Sequence, residues 1–113
     1  MGTIYSAIVI LSMTVIVGIY LITLVLEDKK TPIIASFIHG TLALIGLLLL
    51  AIYSFTSDID PIISLIAFAM AAISGLTLMY KHVTSKRVPK WLAITHAITA
   101  VAGYIFLILY AFF

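Results

Sequence analysis

The chain has 113 residues, 65% of them hydrophobic and 9% charged, with a formal net charge of +2. A soluble domain carries about 25% charged residues, so this chain cannot hide its apolar surface by folding on itself in water, and the bilayer is its solvent. It contains no Cys, which excludes disulfides, zinc–thiolate sites and iron–sulfur ligation.

The start, Met1 to Tyr5, has no basic segment, and no small-residue cleavage site follows the first apolar stretch. Helix 1 is therefore expected to be retained, from about Ile4 to Leu26. The run Glu27-Asp28-Lys29-Lys30-Thr31 ends it. Helix 2 is expected from about Pro32 to Phe55, with Pro in the first turn, where a missing N–H costs nothing. A polar break, Thr56 to Asp60, leads to Pro61 and helix 3, which reaches about Tyr80 or His82. A basic loop from Lys81 to Val88 precedes Pro89, which opens helix 4 to the C-terminus. Each apolar stretch has the roughly 20 residues needed to cross the hydrocarbon.

All six Lys and Arg (Lys29, Lys30, Lys81, Lys86, Arg87 and Lys90) lie in or beside the two loops of one side, whereas the other side has Asp58 and Asp60. The positive-inside rule then places both basic loops in the cytoplasm and both termini outside the cell membrane. Lipid is the expected partner, with no nucleic acid.

The sequence also repeats. A shift of 57 residues lays Pro32 on Pro89, His39 on His96, Gly46 on Gly103 and Tyr53 on Tyr110. Met13 falls on Met70, Gly18 on Gly75 and Lys29 on Lys86. Pro, His, Gly and Tyr rarely coincide at one constant offset by chance. The expected fold is all-α: an integral membrane four-helix up-down-up-down bundle built from two parallel helix-hairpin repeats, about 1–56 and 57–113, in a single transmembrane domain.

No Asp, Glu, Lys or Arg lies within a span. The ionisable groups well inside are His39 and His96, and such groups mark function by default. Each follows its Pro by seven residues, about 10 Å along the axis, so both sit at one depth on the parallel helices 2 and 4. Small residues share their faces: Ala35, Ser36, Ala43 and Gly46 beside His39, and Ala93, Thr99, Ala100 and Gly103 beside His96. Gly18 and Gly75 offer similar relief on helices 1 and 3. Small side chains let a backbone or a rigid planar ligand approach closely. The pattern points to one b-type haem with His39 and His96 as axial metal ligands, lined by Ser36, Ala43, Gly46, Ala93, Thr99, Ala100 and Gly103. The hydroxyls of Ser36, Thr41, Thr95 and Thr99 are candidates for orienting the rings. His82, seven residues beyond Gly75, is placed to neutralise haem propionates.

This arrangement of His39, His96 and their Gly and Ala neighbours resembles the membrane b-type cytochromes, in particular the cytochrome b561-like and respiratory-complex four-helix haem subunits. The resemblance is architectural and covers roughly residues 32–56 and 89–113. It implies electron transfer linked to quinol or ascorbate, or within a larger respiratory complex whose other membrane redox subunits are the partners. The two-haem b561 pattern needs four intramembrane His, so two His allow one haem per chain. Two other classes suit a short apolar chain. One is a cofactor-free structural or assembly subunit. The other is a small transporter, which would have to couple through the two His because helix 1 has no carboxylate.

Overall fold

The computed structural model describes residues 2–57, 61–84 and 87–113. Four helices account for nearly all of them: α1 (Gly2–Leu26), α2 (Ile33–Thr56), α3 (Ile62–Val83) and α4 (Lys90–Phe112). All four are long and apolar enough to cross a membrane, and the chain is a multi-pass membrane protein. Asp58, Asp60 and Lys86, which carry part of the charge asymmetry, lie outside the described residues, as does the Lys29–Lys86 match.

Pro32 stands one step earlier than the first-turn position expected for it. Pro32, Pro61 and Pro89 are all N-caps. Their ring fixes φ and supplies no N–H, while their carbonyls accept the first helical bonds from Ser36, Leu65 and Ala93. At the end of α1 the Asp28 N–H donates to the Val25 carbonyl and the Lys29 N–H to the Leu24 carbonyl. This Schellman closure needs a left-handed residue, and Asp28 takes it with φ 57°.

Helices adjacent in sequence pack as hairpins, α1 on α2 and α3 on α4, and the hairpins meet along α1–α4 and α2–α3. Neither α1–α3 nor α2–α4 forms a packed interface, so α2 and α4 face each other across a diagonal. The bundle is 44 Å long. One end carries both termini and the α2–α3 connection; the other carries the α1–α2 and α3–α4 loops. They are called the terminal end and the basic end below.

The core is uneven along this length. Ile4, Ala7, Ile8 and Leu11 of α1, Leu50 of α2, Phe68 of α3 and Leu107 of α4 are buried together in the terminal half. Past Thr14 no residue of α1 is buried; none of α2 is before Gly46, and none of α3 is after Ala71. Among the described residues of the basic half only Ala93 of α4 is buried. The outward faces are large and apolar, for example Ile16, Ile34, Ile73 and Leu76, as lipid contact requires.

Candidate functional site

Where side-chain packing stops, the two histidines meet. The His39 and His96 rings approach across the α2–α4 diagonal, with centroids 6.2 Å apart and planes at 79°. Each ring is held from behind by the other helix of its own hairpin. The His39 Nδ1–H donates to the Thr14 carbonyl oxygen at 3.0 Å. The His96 Nδ1–H donates to the Ala71 carbonyl oxygen at 2.8 Å. In both cases the acceptor lies 25 residues before the histidine.

These bonds set the chemistry of the rings. A carbonyl only accepts, so Nδ1 carries a proton, and in the neutral ring Nε2 keeps a lone pair. Among the described residues neither Nε2 has a hydrogen-bond partner, yet none of their side-chain polar atoms is buried without one. Both Nε2 atoms are therefore not fully buried. Each ring is held through Nδ1, and its Nε2 is left without a protein partner among the described residues.

Glycines make the approach possible. A Cβ on Gly18 would stand 3.0 Å from His39 Cε1, and one on Gly75 would stand 2.9 Å from His96 Cε1. Any larger residue at either position would displace the ring. Gly46 and Gly103 perform a different task further toward the terminal end. Leu11 fills the space over Gly46, where a Cβ would meet its Cδ2 at 2.6 Å. Phe68 and Ala67 fill the space over Gly103. Leu11 and Phe68 are themselves one 57-residue offset apart.

The other expected site residues are distributed as follows. Ala43 and Ala100 are half-buried on the histidine faces, and Ala93 is buried. The Thr95 and Thr99 hydroxyls turn back to carbonyls of their own helix, at Trp91 and Thr95. Ser36 does not reach His39; its Oγ is 3.1 Å from His82 Nδ1, and the Thr31 Oγ1 is 3.3 Å from His82 Nε2. His82 thus ties the end of α3 to the start of α2 toward the basic end. The carbonyls of Thr14 and Ala71 and the hydroxyl of Ser74, 3.0 Å from His96 Nδ1, belong to the site without being singled out by the sequence. The paired Gly18 and Gly75 were its available signal. A shallow apolar recess of about 390 Å³ between α2 and α3, lined by Leu47, Ala51, Phe55 and Leu65, faces outward in the terminal half, away from the rings.

No family model, no curated protein and no solved structure matches this chain.

Proposed function

We propose that this protein is a membrane electron-transfer protein that holds one b-type haem between α2 and α4 through His39 and His96. The observation that carries the reading is the geometry of the pair: two rings 6.2 Å apart across the diagonal, each donating Nδ1–H to a carbonyl and keeping Nε2 unpaired. Metal-bound imidazoles characteristically donate their other N–H to a carbonyl or carboxylate, which fixes their tautomer. A metal lies about 2.0–2.1 Å from an imidazole nitrogen, so two rings turned nitrogen-first toward one ion would stand with centroids roughly 6 Å apart. The spacing here is 6.2 Å.

The donor set also discriminates between metals. Among the described residues no group of three or more His, Cys, Asp or Glu converges. A structural zinc ion takes about four ligands, and two imidazoles alone do not supply them. A macrocycle that brings its own equatorial donors needs only these two. Held by both imidazoles, such a group would supply one-electron chemistry. Lys81 and Arg87, near His82 in sequence, would receive its carboxylates at the basic end, since both His82 nitrogens are engaged by Ser36 and Thr31. By the positive-inside rule that end is cytoplasmic and both termini are outside. The electron partner is then a lipid-soluble quinone or another membrane redox subunit.

The test is an absorbance spectrum of the purified protein, oxidised and then reduced. A sharp Soret band with split visible bands on reduction is expected. His39→Ala and His96→Ala should each lose it, and His82→Ala should keep it. A wild-type protein that stays colourless after supply of haem overturns the reading, and copurification with partners would then point to a structural subunit. Unchanged spectra in both intramembrane variants would overturn the ligand assignment.

A further inference from the structure

The two hairpins treat their histidines differently at one position. The Ser74 Oγ lies 3.0 Å from His96 Nδ1. Its counterpart 57 residues earlier is Val17, which has no hydroxyl to offer His39. The direction of the Ser74 contact is forced. His96 Nδ1 already donates to the Ala71 carbonyl at 2.8 Å, so it cannot accept, and Ser74 must be an acceptor for the same proton. The Ser74 hydroxyl proton has its own acceptors, the carbonyls of Ala71 at 3.0 Å and Met70 at 3.2 Å. His96 Nδ1–H is therefore shared between two oxygens, whereas His39 Nδ1–H has one.

On the haem reading, we infer that Ser74 is a positioning residue that makes His96 the stronger of two unequal axial ligands and lowers the reduction potential of the site. A second acceptor on Nδ1–H draws the proton outward and leaves more electron density on Nε2, which raises ligand basicity. A more basic ligand favours the oxidised, more highly charged metal. Val17 leaves His39 without this assistance, so the asymmetry is built into α1 and α3 and not into the histidines.

The experiment is a potentiometric titration of the haem-loaded, full-length protein and three variants. Ser74→Val copies the first hairpin and should raise the potential. Val17→Ser copies the second and should lower it. Ser74→Thr keeps the hydroxyl and should leave the potential near wild type. One hydrogen bond is worth up to about a tenfold change in an equilibrium, which for one electron is about 59 mV. If Ser74→Val loses haem, Val17→Ser carries the test alone and must lower the potential. Equal shifts in Ser74→Val and Ser74→Thr would mean that Ser74 acts only by packing, and would overturn the inference. So would unchanged potentials in haem-loaded Ser74→Val and Val17→Ser. A wild-type protein that takes no haem overturns the haem reading itself, which is a separate outcome.

Discussion

The terminal and basic halves of the bundle are built from the same four helices, yet they fill their centres differently. In the terminal half Leu11 packs over Gly46 and Phe68 over Gly103, and Leu50 and Leu107 are wholly buried. Two hydroxyl contacts help close that half. The Ser12 hydroxyl donates to the Ile8 carbonyl and stands 2.6 Å from the Tyr104 hydroxyl. The Tyr53 and Tyr110 hydroxyls are 3.1 Å apart across the α2–α4 diagonal. In the basic half the glycines of α1 and α3 face imidazoles instead of Leu or Phe. With no hydrophobic drive between helices in lipid, association rests on close packing and interhelical hydrogen bonds. The difference teaches a division of labour: one half holds the helices together, and the other is kept for two rings.

The sharpest way to break this division is to put bulk at the ring-facing glycines. Gly75→Val places side-chain atoms where His96 Cε1 now stands 2.9 Å from an ideal Cβ. On the proposed haem reading it should abolish uptake of haem, read as loss of the Soret band, while circular dichroism still reports the helical content. Gly18→Val should do the same through His39. Had these glycines been mere helix-packing positions, the valine variants would lose stability and keep their spectrum.

The converse perturbation belongs in the terminal half. Leu50→Ala or Leu107→Ala empties a fully buried position. The cavity part of a large-to-small change costs roughly 2 kcal/mol, because the water-to-core transfer part largely vanishes when the unfolded reference is also in lipid. Unfolding in mixed micelles should show that loss, and the absorbance spectrum should be unchanged. A weaker version is Tyr53→Phe, which removes one partner of the diagonal hydroxyl pair and should cost about 1 kcal/mol or less. If these variants shifted the spectrum as strongly as the glycine variants, the two halves would be one cooperative unit.

How much of this was legible in the sequence follows from what leaves a side-chain trace. The spans were readable because apolar runs of that length have few other uses, and the helix starts because Pro32, Pro61 and Pro89 punctuate them. The common depth of His39 and His96 followed from equal spacing to their prolines. What holds each ring was not readable, since the acceptors are the backbone carbonyls of Thr14 and Ala71, and every residue has a carbonyl. The tasks of the glycines were not readable either. Gly46 and Gly75 both announce a close approach, but only the facing helix decides whether Leu11 or His96 arrives. Ser36 shares a helical face with His39, yet its hydroxyl meets His82 from α3, a contact set by how the hairpins dock.

The smallest expected effect tests whether the basic half is also fastened at its end. Asp28 and the Lys90 ammonium are 3.0 Å apart, linking the α1–α2 loop to the start of α4. Both side chains are substantially exposed, at 69% and 43%, so water and salt weaken their attraction. Asp28 also occupies the left-handed position that ends α1, which Asn tolerates as well as Asp. Asp28→Asn therefore removes the charge without disturbing the turn, and should cost less than about 1 kcal/mol. The difference from wild type should fade as salt is raised toward 1 M, where screening shortens to about 3 Å. A larger, salt-insensitive loss would mean that the loops clamp the histidine level from outside. A small one means that the rings depend on Gly18, Gly75 and two carbonyls within the helices, and that the basic end is tied only loosely across its loops.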